Sequence, residues 1–365
     1  MEKKRRLLGI DLCRGLAAFA VVVVHSGDET WGVPVSYWAL EFRLLFYFAV
    51  PFFLAVSFFF TTQNLNKNIP RQFWKTKFQR ILIPYAVWST FYIVFGAIFY
   101  LITNQSDRLN QLWQDPIAVI FFGSASYHLY FLPLLFSGTL LVFLTNKLIA
   151  RKNGTIAIAF LAIFSIITNE IIAQSGNLFQ LNPPIAFPSL LNLIEYNSIN
   201  YQIARFVLME VAWMLKCLPY ICLAIILNYS LGQINQSFLK SKSSILCVFT
   251  IFILTNIFRE KFIIGELSQL IIAFSLFIFG ICLSPHLTEN NLIKSIGNCS
   301  FGIYLIHPIL KRVITIIVSF MLPQLTVKVT VVSMLCFSIS TFLLSWLIVL
   351  LLMQNKQMSK YVFGT

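Results

Sequence analysis

Charged residues are scarce in this sequence: Asp, Glu, Lys and Arg make up only 11% of its 365 positions. A soluble domain carries about 25% charged residues, so this chain has too few to cover a water-facing surface of ordinary composition. Hydrophobic residues account for 58%, and 37 of them are Phe. This composition excludes an ordinary soluble enzyme and an intrinsically disordered chain, and it indicates a membrane protein.

Metal-ligating patterns are also missing. The sequence has four His and seven Cys, and no two cysteines form a CxxC pair. Nearly all the cysteines fall in apolar stretches, where a free thiol behaves as a small hydrophobic side chain. The sequence therefore predicts neither a metal site nor a disulfide framework.

The formal net charge is +14, which would suit a nucleic-acid partner if the chain had a solvated basic face. Apolar runs occupy the chain instead, so no nucleic acid is predicted as a partner. Membrane lipid is the predicted surrounding, and the sequence specifies no oligomeric state.

Apolar windows of about 20 residues bounded by polar clusters predict an all-α, polytopic membrane protein with about ten transmembrane helices. Residues 111–123 are a candidate interfacial or re-entrant piece, and the prolines in 175–207 predict ordered, non-helical coverage. Without an internal repeat or a soluble domain, residues 1–365 are predicted to form a single integral-membrane domain. The predicted spans lie near 7–26, 39–62, 80–103, 128–146, 154–174, 208–231, 244–258, 263–283, 300–321 and 326–353.

The distribution of cations predicts the orientation. With the N-terminus in the cytoplasm, seventeen Lys and Arg fall on inner segments and six on outer segments. The positive-inside rule therefore predicts cytoplasmic N- and C-termini in a plasma (inner) membrane. The four remaining cations lie at bilayer depth: Arg14, Lys216, Lys311 and Arg312.

The first predicted helix carries a polar face. A charge at the centre of a membrane helix costs about 2.5–3.5 kcal/mol on insertion scales, yet this span contains Asp11 and Arg14. At about 100° per residue, Arg14 lies about 60° from Asp11, and His25 returns to within about 20° of Arg14. Asp11 and Arg14 can pair at i, i+3, whereas His25 is about 16 Å from Arg14 along the axis.

Two interpretations fit this face. One is a structural Asp–Arg pair with an interfacial histidine near the outer rim. The other is a polar groove in which a cation binds an anionic ligand and a histidine serves as a base, since histidine exchanges protons near neutral pH.

Residues 10–17 and 21–25 resemble the first helix of the membrane-bound acyltransferase-3 family, in which an Arg and a His are separated by ten residues, as Arg14 and His25 are here. Shorter resemblances follow in family order: VPFF at 50–53 with Ser57, RILIPYAVW at 80–88, YHLYFLP at 127–133 and SFGIYLIHP at 300–308. Two positions depart from the family pattern. Phe58 follows Ser57 where the family usually has Gly, and Lys77 stands at the third-helix entry where it usually has Arg; Lys keeps the charge but loses the bidentate fork.

The resemblance implies a membrane-bound O-acyltransferase that uses acyl-CoA, usually acetyl-CoA. The implied acceptor is a hydroxyl of a cell-envelope glycan, polysaccharide or lipid-linked sugar. His25 would be the catalytic base, with Asp11 and Arg14 supporting the donor site. The resemblance leaves two points open. The acyl group is acetyl or a larger group such as succinyl, and transfer is either direct or through a covalent acyl-histidine.

Basic side chains before the third span suit the phosphates of coenzyme A, because phosphates are bound by cationic donors. Lys77 and Arg80 are therefore predicted to contact the donor.

Other polar residues are weaker candidates for the cavity. His128 fits either an aromatic interfacial belt or a contact with the acceptor or the thioester. Ser300, Tyr304, His307 and Lys311 step by four, three and four residues, which predicts a helical stripe that faces protein or water rather than lipid. Tyr304 and His307 fit equally a cavity wall and structural hydrogen bonding.

A multi-spanning transporter or flippase of an envelope precursor is the alternative function, because such proteins share many spans and buried charges. They often have two related halves, and Arg14 with His25 has no counterpart in the second half of this sequence.

Overall fold

The structure is a computed structural model in which residues 6–26, 34–65, 70–149, 153–196, 198–231, 233, 239–258, 265–323 and 327–365 are described. Eight of the cations counted for the orientation lie outside these residues: Lys3, Lys4, Arg5, Lys67, Arg151, Lys152, Arg259 and Lys261.

The described residues are almost entirely helical. The helices up to the middle of the chain are α1 Leu8–His25, α2 Tyr37–Leu44, α3 Ala49–Leu65, α4 Pro70–Lys77, a π-helical turn Phe78–Leu82, α5 Ile83–Ile102, α6 Ser106–Gln114, α7 Pro116–Phe121, α8 Phe131–Ile149 and α9 Gly154–Gln174. A short antiparallel pair, β1 Gln180–Leu181 and β2 Pro184–Ile185, follows. The remaining helices are α10 Pro188–Leu191, α11 Ile199–Leu231, α12 Lys242–Phe258, α13 Gly265–Leu283, a 3₁₀ turn Ser284–His286, α14 Asn291–Met321, α15 Val331–Leu352 and α16 Lys356–Val362.

Within the described residues, nine helical runs are long and apolar enough to cross a membrane, and α12 is a shorter apolar helix of 17 residues. These ten elements confirm the predicted all-α polytopic fold and the approximate number of spans.

Several helices extend past the apolar windows. Helix α11 begins at Ile199 and α14 at Asn291, each about nine residues before its predicted span. Helix propagation adds a hydrogen bond for each residue fixed, so a helix continues beyond its apolar run. Residues 199–207 are therefore helical, and the non-helical prediction for 175–207 is wrong over that stretch. Residues 111–123 form the end of α6 and the short helix α7.

Close contacts divide the chain into two compact units, Met1–Val56 with Gln233–Asn355 and Ser57–Gly232 with Lys356–Thr365. The division falls within α3.

In the first unit, α1 packs against α13, α14 and α15. A Cβ atom placed on Gly9 would lie 2.1 Å from the backbone oxygen of Gly280, so these two backbones are in direct contact. Small residues allow membrane helices to approach in this way. Leu12 and Leu16 lie on the exposed side of α1, whereas Asp11 is buried.

In the second unit, α11 packs against α8 and α9, and α16 packs against α5 and the π-helical turn. Arg205 on α11 is 5% exposed, and its Nη2 lies 2.5 Å from Oδ2 of Asp115. Its Nε donates to the carbonyl of Pro184 at 2.9 Å. The other carboxylate oxygen of Asp115 accepts from the backbone N–H of Ala118 and caps α7. Arg205 thus connects α7, β2 and α11.

Candidate active site

Two histidines meet in the first unit at the C-terminal end of α1. His25 is the last residue of α1, and His307 lies in the middle of α14. Their ring centroids are 5.6 Å apart, and the ring planes are inclined by 26°. His25 is partly exposed, whereas His307 is 0% exposed. The structure therefore gives a partly exposed base candidate and a second, buried imidazole packed against it.

A buried lysine holds the same end of α1. Lys311, one turn after His307 on α14, is 1% exposed, and its Nζ donates a hydrogen bond to the carbonyl of His25. The last four carbonyls of a helix have no partner within the helix, and a cation at this end is favoured by the helix dipole. Lys311 therefore fixes the backbone of the residue that carries the candidate base.

The hydrogen bonding of His307 indicates its tautomer. Its Nδ1 lies 2.7 Å from the carbonyl oxygen of Tyr304, and a carbonyl oxygen can only accept. Nδ1 therefore carries a proton, and in the neutral ring Nε2 is the basic nitrogen. The rings of Tyr304 and His307 have centroids 6.2 Å apart.

The predicted stripe on α14 lies inside the protein. Ser300, Tyr304, His307 and Lys311 are all buried. Their burial agrees with the expectation that the stripe faces protein or water rather than lipid, and the roles of Tyr304 and His307 remain predictions.

An ionic cluster lies at the other end of α1. Asp11 is 4% exposed, and its Oδ1 lies 4.0 Å from Nη1 of Arg14, as the i, i+3 spacing predicts. The closer partner is Arg6, whose Nε lies 2.5 Å from Oδ2 of Asp11. Arg6 also donates to Oδ1 of Asn298 at 2.6 Å and to the carbonyl of Lys294 at 3.3 Å. Asp11 thus pairs with two guanidinium groups, and one of them, that of Arg6, also bonds to residues near the start of α14.

The two basic donor candidates differ in their surroundings, and both lie in the second unit. Lys77 is partly buried; its Nζ donates to Oγ1 of Thr61 at 2.5 Å and lies 5.7 Å from the centre of the Phe73 ring. Arg80 is exposed and belongs to the π-helical turn. Lys77 is therefore held by its neighbours, whereas Arg80 presents its guanidinium to the surroundings.

His128 is also in the second unit and is 1% exposed. Its Nδ1 lies 3.1 Å from Oγ of Ser126, and the Tyr92 and Tyr127 rings contact it edge-on, with centroids at 5.2 and 5.6 Å. This burial differs from that of a side chain in an interfacial belt, and the contact with substrate proposed for His128 remains a prediction.

The structure brings together His25, Tyr304 and His307 at one end of α1 and Asp11 with Arg14 at the other. Sequence reasoning missed the pairing of Arg6, which it counted only as an orienting charge, and the hydrogen bond from Lys311 to His25. The position of Lys311 at bilayer depth, one turn after His307 on the predicted stripe, was the available signal. Among the described residues, no group of three His, Cys, Asp or Glu could hold a metal ion.

The comparison with protein families agrees with the resemblance drawn from the motifs. No curated protein and no solved structure matches the chain. A family model described as an acyltransferase domain matches residues 7–350, from the start of α1 to near the end of α15. This match supports an enzyme rather than a transporter or flippase, and the chain belongs to the acyltransferase-3 family of membrane acyltransferases.

Proposed function

We propose that this acyltransferase moves an acyl group, most often acetyl, from acyl-CoA to a hydroxyl of a cell-envelope glycan, polysaccharide or lipid-linked sugar, with His25 as the base. The observation that carries the proposal is the polar cluster at the end of α1. A partly exposed His25 stacks on a buried His307, and Lys311 bonds to the His25 carbonyl. Such a cluster supplies a fixed imidazole to an enzyme of this family.

In the proposed reaction the imidazole of His25 accepts the proton of the acceptor hydroxyl. The hydroxyl oxygen attacks the thioester carbonyl, and a new oxygen–carbon bond forms. The carbon–sulfur bond then breaks, and the leaving thiolate takes the proton back from the imidazolium. General base catalysis of this kind contributes typically 10²–10⁴-fold in rate, and the products are an ester and free coenzyme A.

Donor binding is assigned to cationic side chains. The candidates for contacting the phosphates of acyl-CoA are Arg14 in the first unit and Lys77 and Arg80 in the second, because cationic donors are the natural partners of phosphates. Asp11 would orient Arg14 through the 4.0 Å ion pair. Each cation is testable on its own: Arg14→Ala or Arg80→Ala should raise the KM for acetyl-CoA, and an unchanged KM would remove that residue from the donor site.

The proposal also requires that the acyl-CoA donor reach the enzyme from the cytoplasm. The N- and C-termini should therefore lie on the cytoplasmic side of the inner membrane. In a variant without the seven native cysteines, a cysteine at Asp107 should react with a membrane-impermeant maleimide on intact cells. A cysteine at Lys240 should react only after permeabilisation. The reverse pattern would contradict cytoplasmic termini.

The direct test of the function compares envelope glycans by mass spectrometry from cells with the gene, without it, and with the His25→Gln variant. Glycans from cells with the gene should carry additional mass equal to one acyl group, which also identifies the donor as acetyl or succinyl. Both other strains should lack it. His286→Gln is the matched control, because His286 is an exposed histidine of the same unit; its acylation should equal that of the native protein. Full acylation by His25→Gln would rule out His25 as the base.

A further inference from the structure

The last ten residues of the chain fold against the second unit. Helix α16 ends at Val362, and Phe363, Gly364 and Thr365 follow as a short tail. These residues lie beyond the 7–350 match to the acyltransferase family.

Two contacts attach the end of α16 and the tail that follows it to α5. The indole Nε1 of Trp88 donates to the carbonyl of Val362 at 3.0 Å. Phe363 is 1% exposed, and its ring centroid lies 6.4 Å from that of Trp88. A buried aromatic ring and a hydrogen bond from an indole together make this a packed contact rather than a loose end.

A third contact reaches the backbone of Arg80. Gly364 has φ +64°, and a Cβ atom on it would lie 2.7 Å from the backbone oxygen and 2.8 Å from Cα of Arg80. No real Cβ atom approaches a backbone so closely, so only glycine fits here. The backbone N–H of Thr365 then bonds to the carbonyl of Ser359 at 3.1 Å and closes the tail onto α16.

The segment under the tail has an unusual geometry. Arg80 is the central residue of the five-residue π-helical turn Phe78–Leu82, and π-helical turns are rare and occur frequently at functional sites. The side chain of Arg80 is exposed while its backbone is covered by Gly364. The tail thus holds the backbone of a cation whose guanidinium is available to a ligand.

We propose that the tail Phe363–Thr365 is a positioning element that fixes Arg80 for binding the phosphate groups of the acyl-CoA donor. This inference rests on the proposed function, because it requires a phosphate-bearing donor. The tail itself does not touch the substrate; it acts through the backbone of Arg80.

The chain offers a matched pair of glycines for the test. Gly176 also has a left-handed backbone, φ +73°, but a Cβ atom there would meet nothing within 4 Å. Gly364→Ala and Gly176→Ala therefore impose the same kind of backbone strain, and only the first displaces the tail from Arg80. With purified full-length protein, Gly364→Ala should raise the KM for acetyl-CoA about tenfold, the size of one charge-assisted hydrogen bond. Its kcat should be unchanged, and Gly176→Ala should match the native enzyme.

Two further measurements separate positioning from general loosening. S-acetylpantetheine carries the same thioester without phosphates, so its KM should be equal in Gly364→Ala and in the native enzyme. The double variant Arg80→Ala/Gly364→Ala should have the same KM for acetyl-CoA as Arg80→Ala alone, because the tail acts through Arg80. If Gly364→Ala does not accumulate, Phe363→Leu takes its place, because it loosens the same tail and should have the same effects on both KM values.

The inference is overturned if Gly364→Ala and Gly176→Ala have the same KM for acetyl-CoA, or if the KM for S-acetylpantetheine rises equally. Failure of the proposed function gives a different result: the native enzyme then transfers no acyl group from acetyl-CoA.

Discussion

The imidazole rings of His25 and His307 stack with their centroids 5.6 Å apart, although the residues come from opposite ends of the chain. His25 is the more accessible of the two, and His307 is anchored through Nδ1 to the carbonyl of Tyr304. The buried ring therefore limits the orientations that the His25 ring can adopt, and an oriented base transfers a proton more efficiently than a freely rotating one.

Replacing His307 by Gln should lower kcat for acyl transfer by about tenfold or more, with little change in the KM for acetyl-CoA. Gln keeps a donor for the Tyr304 carbonyl but removes the aromatic face and the basic nitrogen that lie beside His25. The measurement is steady-state kinetics on purified protein that elutes as a single peak in size-exclusion chromatography. The exposed His286, changed to Gln, should retain native kcat; equal rates for both variants would show that His307 has no part in the reaction.

Replacing Lys311 by Met should lower kcat about tenfold and leave the KM for acetyl-CoA unchanged. Met keeps most of the volume of the buried side chain but cannot donate to the His25 carbonyl, so the end of α1 loses its cap. Lys311→Arg should recover part of the rate, since it restores a cationic donor. Lys328→Met, at an exposed position, is the control. A parallel loss of kcat in both Met variants would contradict a specific role for Lys311.

Replacing Asp11 by Asn should lower the free energy of unfolding by about 1–3 kcal/mol, because a buried charged acceptor for Arg6 and Arg14 is lost. A double-mutant cycle with Arg6→Gln measures the coupling between the two residues in thermal unfolding in detergent. A coupling of zero would mean that the 2.5 Å pair contributes nothing to stability. Asp107→Asn, an exposed carboxylate elsewhere in the chain, should leave Tm unchanged.

Replacing Arg205 by Met should lower the free energy of unfolding by about 1–3 kcal/mol. Breaking a fully buried ion pair costs about 3–5 kcal/mol, and the cost is smaller here because the Asp115 side chain is 38% exposed. Thermal unfolding in detergent gives the value, and Arg108→Met, at an exposed position, serves as the comparison. If both variants unfold at the native temperature, Arg205 does not connect α7, β2 and α11 in an energetically significant way.

The fold was largely predictable from sequence because the bilayer imposes a simple requirement. Each span needs an apolar window of sufficient length, and the backbone inside lipid must be helical. Helix ends were less predictable: α11 and α14 extend beyond their apolar windows, where hydropathy gives no signal. The π-helical turn around Arg80 has no sequence signature and required the structure.

The site was predictable only where its contacts are local. The Asp11–Arg14 pair follows from a three-residue spacing on one helix. The contacts of His25 with His307 and Lys311 depend on how α1 packs against α14, which a helical period cannot specify. Arg6 was missed for a related reason, since it precedes α1 and reaches Asp11 and Asn298 from outside any periodic pattern.

The contact between Gly9 and Gly280 has a consequence for His25 at the other end of the same helix. Sixteen residues of regular helix place His25 about 24 Å from Gly9, and a short helix transmits a shift as a rigid rod. A methyl group at position 9 would push the two backbones apart and move the imidazole away from His307 and Lys311. The arrangement of His25, His307 and Lys311 therefore depends on the absence of a side chain at the far end of the same helix.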